Sequence, residues 1–157
     1  MKINFEACLA HTLQYEGGHS DDPYDPGGRT NKGITQRTYD AFRKMNGLRR
    51  RDVYKMLDAE MHEIYRVEYW DAVKADELPS GADMVVFDAA VNSGVEQALK
   101  WMAACGVAPA DTKRFVSCYS FKRLSFLEHL HTWLRFGSGW ARRVYAVKFY
   151  ALTMVNQ

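Results

Sequence analysis

Residues 17–34 read GGHSDDPYDPGGRTNKGI and hold five of the chain's 11 glycines and two of its 4 prolines. Such a stretch cannot continue a helix. Proline lacks an amide hydrogen, glycine is entropically costly to order, and Asp, Asn and Ser bond their own backbone in turns. The segment must therefore be turns, as a loop or a short hairpin. On both sides of it the apolar residues recur at helical spacing. Phe5, Cys8, Leu9 and Leu13 predict a helix over 4–15, capped by Asn4 and stopped at Gly17-Gly18. A second begins at Thr35, carries Tyr39, Phe42 and Met45 in step, and stops at Gly47. Val53, Leu57, Ile64 and Val67 predict the longest helix, over 50–70. After Leu78-Pro79-Ser80-Gly81, Ser80 is placed to cap a buried helix through Met84, Val85, Phe87 and Val91. Further helices are expected over 95–104, 111–136 and 140–154, broken at 106–109 and at Gly137-Ser138-Gly139. Strand-like alternation is nearly absent. The expectation is a mainly α chain, residues 1–157 as a single domain, with one irregular loop after the first helix.

Composition sets the outer bounds. At 157 residues with 47% apolar and 25% charged residues, the chain is long enough to bury a core without a metal or disulfide staple. Its 3 cysteines, Cys8, Cys105 and Cys118, form no C-x-x-C pair and lie in apolar helical patterns, so they are expected to be inert core residues. The net charge of +2 does not by itself suggest nucleic-acid binding. Its distribution is uneven. Residues 113–157 carry 8 Lys and Arg against a single Glu, which suits an anionic partner or a solvated helix face alike. His129 and His131 lack the spacing of a helical zinc pair, and no calcium loop, phosphate loop, dinucleotide fingerprint or serine elbow is present. No cofactor and no metal are expected.

The residues that could carry chemistry gather at the end of the first helix. Glu16 stands where an apolar helix meets the irregular loop, and burial there would keep its carboxyl protonated as a general acid. The loop then supplies Asp22, Asp25 and Thr30. Glycoside hydrolysis needs a carboxylic acid to protonate the leaving oxygen, and a second carboxylate to direct water or steady the sugar cation. Glu16 and Asp25, with the Thr30 hydroxyl, could form such a set. Equally, Asp22 and Asp25 could be turn residues beside prolines and Glu16 a solvated helix end. Tyr65, Tyr69 and Trp70 either stack on sugar rings or fill a core. Asp88 and Asn92, four apart on one helix, either line a cleft or make a structural hydrogen bond. Arg142 and Arg143 could pair with the acidic loop or lie on the surface.

E-G-G at 16–18, D-P-x-D-P-G-G-x-T at 22–30 and N-K-G-I-T at 31–35 resemble the N-terminal signature of glycoside hydrolase family 108. The likeness continues in family order through E-I-Y-R-x-E-Y-W at 63–70, L-P-S-G at 78–81, V-F-D-A-A-V-N-S-G at 86–94 and G-W-A-R-R at 139–143. That resemblance implies a lysozyme-like fold and an N-acetylmuramidase cutting the β-1,4 bond between N-acetylmuramic acid and N-acetylglucosamine. It implies Glu16 as the catalytic acid. Phage lysozymes with a Glu, Asp and Thr set map their residues onto Glu16, Asp25 and Thr30. Asp22, Tyr69, Trp70, Asp88 and Asn92 become the candidate substrate contacts, Asn92 for an N-acetyl or hydroxyl group.

The expected partner is therefore the peptidoglycan glycan strand, with no nucleic acid, and the expected state is a monomer. Met1–Glu6 shows no apolar run of the signal-peptide kind. The expectation is a phage endolysin made in the host cytoplasm, reaching the periplasm through a holin-type lesion. A lytic transglycosylase and a non-catalytic wall-binding or scaffolding module are the competing readings. The last helix, Ala141–Leu152, is basic and amphipathic, as membrane-surface helices are, but a core helix is the preferred reading of its letters.

Overall fold

The computed structural model describes residues 4–17, 29–106 and 109–155. Asp22, Asp25 and Gly18 lie outside the described residues. The backbone gathers into two compact units, Leu9–Glu68 and Met1–Cys8 with Tyr69–Gln157. Among the described residues the chain is mainly α, with one two-stranded antiparallel sheet following the first helix, as the sequence predicts.

In the smaller unit, the end of α1 (Phe5–Leu13) unwinds through bonds from Tyr15 N to Thr12 O (3.0 Å) and Glu16 N to Leu13 O (3.3 Å). The strands β1 (Thr30–Asn31) and β2 (Ile34–Thr35) pair Thr30 with Thr35 and Asn31 with Ile34. The two linking residues, Lys32 and Gly33, both have positive φ (48° and 76°). That combination marks the tight hairpin turn whose twist matches its strands. The Thr35 hydroxyl then accepts from Thr38 N (3.2 Å) and starts α2 (Gln36–Met45), which buries Tyr39 and Phe42.

The single long helix expected over 50–70 is not formed. A short 3-10 turn, Val53–Lys55, precedes α3 (Asp58–Tyr65), and a π-helical segment, Arg66–Asp71, follows it. Side chains from elsewhere impose the break. The Gln36 amide donates to Arg51 O and accepts from Val53 N, both at 2.8 Å, so 51–53 cannot bond as helix. Glu60 accepts from Leu57 N (3.0 Å) and fixes the start of α3. The same carboxylate accepts from the Tyr39 hydroxyl (2.6 Å) and from the guanidinium groups of Arg43 and Arg51. Burial would raise the Glu60 carboxyl. Tyr39, the Leu57 amide and the two arginines more than offset that and hold it below the usual range.

The larger unit is built on α4 (Ala82–Ser93), with α5 (Val95–Cys105), α6 (Thr112–Glu128) and α7 (Trp133–Met154). Residues 82–90 of α4 are buried on every side, and the helix packs on α5, α6 and α7. Ser80 does not cap it. Its hydroxyl donates to Met154 O (3.2 Å), while the Asp83 carboxylate accepts from Gly81 N and Met84 N at 2.8 Å. Asn4 spends its side-chain amide on Asp83 (2.7 Å) and Ser80 (3.1 Å). Nor does Gly137-Ser138-Gly139 break the chain, because α7 runs through it. The break falls at 129–132 instead. Gly137 is needed inside the helix for packing, since a β-carbon there would lie 2.4 Å from the Trp133 ring.

Two cysteines are not inert core residues. Cys105 at the end of α5 and Cys118 in α6 form a disulfide, with Cα atoms 5.9 Å apart. Thirteen positions of sequence separation concealed a pair that the return of α6 along α5 brings together. Cys8 is free and buried, and burial pushes its thiol up.

Asp88 is the polar centre of this unit. Fully buried, it accepts from Arg123 Nη1 (2.7 Å) and from Arg143 Nη2 (2.9 Å) and Nε (3.1 Å). Burial would raise its carboxyl; the two guanidinium groups overcome that and hold it low. Asp88→Asn leaves two buried cations without their anion, and is expected to cost about 3–5 kcal/mol in denaturant unfolding at neutral pH. Because the native pKa is depressed, the stability it gives is complete above the unfolded carboxylate range and is lost as pH falls through the native value. Wild-type stability should therefore fall more steeply than that of Asp88→Asn below roughly pH 5.

Candidate active site

The smaller unit presents Glu16 one residue beyond the unwound end of α1 and lodges its carboxylate against the hairpin turn. A β-carbon built on Gly33 would lie 2.7 Å from Glu16 Oε2 and 2.7 Å from the Tyr65 hydroxyl. Both oxygens therefore pack directly on the Gly33 backbone, at a position only glycine tolerates in sterics and in φ. The other carboxylate oxygen, Oε1, is shielded from solvent, although Glu16 as a residue is half-buried.

The hairpin that forms this floor is held from two sides. The Tyr65 hydroxyl, at the end of α3, donates to Lys32 O (2.7 Å), and the buried Asn31 amide donates to Val53 O (3.0 Å). Tyr65 is 1% exposed, so its ring fills the core and offers no face to a sugar. Outside the turn, Lys32 pairs with Asp58 and Arg29 with Asp52, each at 2.8 Å. Thr30 is half-buried on β1, opposite Thr35. Glu16, Gly33, Tyr65 and the hairpin bearing Thr30 are thus one local construction, whereas Asp22 and Asp25 fall outside the described residues.

The other expected substrate contacts belong to the larger unit. Trp70 is fully buried, its ring edge-on to Phe5 and Phe87 with centroids 5.3 Å away, and its Nε1 donates to Asp76 (2.9 Å). It is a core residue and cannot stack on a sugar. Asp88, enclosed by Arg123 and Arg143, likewise has no surface to give a substrate. Arg143 pairs with Asp88 of α4, while Arg142 is exposed. Asn92 is half-buried, with Oδ1 accepting from Arg123 Nη2 (2.9 Å), and Tyr69 is half-buried on the π-helical segment. Among the described residues no three His, Cys, Asp or Glu side chains cluster as metal ligands.

Sequence reasoning missed Gly33 as part of the site, and considered Tyr65 only for its ring, as a sugar platform or a core residue. A signal for the glycine was present, because N-K-G at 31–33 sets a glycine where a two-residue hairpin link needs positive φ. The Tyr65 hydroxyl gave none, since the helical pattern does not show which carbonyl it meets. Gly33→Ala is expected to cost at least about 1–2 kcal/mol from backbone strain alone, with the collision at Glu16 and Tyr65 added. Tyr65→Phe removes the hydrogen bond to Lys32 O and should cost about 1 kcal/mol. Urea unfolding of the two variants should rank them in that order.

The glycosyl hydrolase 108 family pattern matches residues 9–94, more than half of the chain and the whole stretch from the end of α1 to α4. No curated protein matches the sequence. The solved structure of Brucella abortus SagA is similar over 100% of this chain and 98% of its own, at 33% identity and a TM-score of 0.82. The chain belongs to glycosyl hydrolase family 108.

Proposed function

We propose that this family member is an N-acetylmuramidase with Glu16 as its general acid. The observation that carries the reading is the seat of the Glu16 carboxylate, with one oxygen shielded and the other pressed on Gly33 beside the Tyr65 hydroxyl. A carboxyl fixed against rigid backbone is held for proton delivery, and positional error of about an ångström in such a group costs on the order of a hundredfold in rate. In the reaction, Glu16 protonates the oxygen linking N-acetylmuramic acid to N-acetylglucosamine. Asp25, with Thr30, directs water to the anomeric carbon or steadies the sugar cation.

The biological setting we infer is lysis of a bacterial host by a phage endolysin that meets its substrate in the periplasm. The Cys105–Cys118 disulfide supports action in an oxidising compartment, where such bonds form and persist.

Glu16→Gln keeps the shape of the side chain and removes the proton. Release of fragments from purified Gram-negative sacculi should fall by about 10²–10⁴ while the circular dichroism spectrum is unchanged. Mass spectrometry of wild-type products should find reducing-end N-acetylmuramic acid. Anhydro ends would identify a lytic transglycosylase instead. Binding to sacculi without release by the folded wild type would leave a wall-binding module.

A further inference from the structure

The helix α7 is used twice. Gly137, Val144, Val147, Ala151 and Met154 are buried in the larger unit, and Arg143 reaches Asp88. A second stripe of the same helix is left in water: Leu134 is 99% exposed, Phe149 72% and Tyr145 60%. At 3.6 residues per turn these three positions fall within about 60° of one another around the axis. Arg135 and Arg142, both exposed, run along one side of the stripe, and Lys148 lies on the other. No Asp or Glu occurs between 133 and 154. Isolated exposed apolar residues are ordinary on any protein, but an apolar stripe bordered on both sides by cations is an organised surface.

We propose that this outward face of α7 docks on an anionic lipid bilayer, with the helix axis in the plane of the headgroups. Leucine and the two aromatic rings suit the boundary between headgroups and acyl chains, where aromatic side chains collect. The arginine and lysine stems can lie along that boundary while their charges meet lipid phosphates. No helix among the described residues is long and apolar enough to cross a membrane, so α7 lies on the surface. Charge decides among the occupants. A second copy of the chain would set cations against cations on a helix with no acid to answer them. A nucleic acid would neutralise the arginines but leave Leu134 and Phe149 in water. The preference for a core helix is therefore correct for one stripe of this segment and not for the other.

The test is co-sedimentation of the full chain with vesicles of phosphatidylglycerol and phosphatidylethanolamine, and with vesicles of phosphatidylcholine alone. Wild type should bind the anionic vesicles, weaken as salt is raised, and leave the neutral ones unbound. Arg135→Gln with Arg142→Gln should lower the partition coefficient about thirtyfold, near fivefold per cation. Leu134→Ser with Phe149→Ser should lower it about tenfold or more. These side chains are exposed, so both variants should keep the wild-type thermal midpoint and the wild-type rate on sacculi. Equal binding to neutral vesicles, or no binding at all, overturns the proposal. So does apolar-variant binding equal to wild type, which would reduce the effect to charge adsorption. A dimer in sedimentation velocity that Leu134→Ser with Phe149→Ser dissolves, without vesicle binding, would assign the face to a second copy.

Discussion

The contact of two oxygens with the backbone of Gly33 is the constraint around which the smaller unit is arranged. It requires a residue without a β-carbon and with positive φ, which places that residue in a tight turn. The turn in turn needs two strands of fixed register, and a two-stranded hairpin alone is marginal in water. Hence the carbonyl bonds on either side of it, from Tyr65 to Lys32 and from Asn31 to Val53, which tie the hairpin to α3 and to the short turn before it. A loop of this composition would otherwise have many conformations. What makes it a floor for a carboxylate is the set of side chains that hold it.

Each unit also repeats one electrostatic device, a carboxylate that gathers several donors. Glu60 collects Tyr39, Arg43, Arg51 and the Leu57 amide; Asp88 collects Arg123 and Arg143. Such clusters add less to stability than their number of bonds suggests, because each ion gave up its hydration to enter. Their effect is on specificity of arrangement. Glu60 can satisfy four donors only if α2, the 51–53 strand of backbone and the start of α3 meet at one point. Asp88 can satisfy two guanidinium groups only when α6 and α7 are in register against α4. Alternative packings would strand a charge, which is far more costly than an apolar mismatch.

What could be read in the sequence was whatever is decided locally. The start of a helix at Thr35, the stop at Gly47, the buried run through Val85 and Phe87 and the hairpin before α2 are all encoded within a few residues of where they act. What could not be read depends on partners far along the chain. Nothing near 51–53 announces that Gln36 will take its backbone bonds and split a helical pattern. Gly137 looks like a helix stop until the Trp133 ring is seen to need its missing side chain. Trp70 and Asp88 carry the same letters whether they face a sugar or a core, and only Phe5, Phe87 and the two arginines decide for the core. At the candidate site, the position of Glu16 was legible as a helix end beside glycines, while its seat on Gly33 and the hydroxyl beside it were not.

The larger unit shows how a short chain can carry a second surface without weakening its core. A helix needs only about a third of its circumference to pack, which leaves the remainder for solvent or for another partner. In α7 the inward stripe is made of small and branched residues, Gly137, Val144, Val147 and Ala151, that pack closely, and the outward stripe carries the large rings and the cations. Since the outward residues are mostly in water, their replacement is little resisted by folding. Selection for stability would leave such positions polar, because exposed Leu and Phe bring only a risk of aggregation. The apolar stripe between cations on α7 therefore asks for an explanation outside the core, and an anionic bilayer supplies both the hydrocarbon and the charge that it lacks.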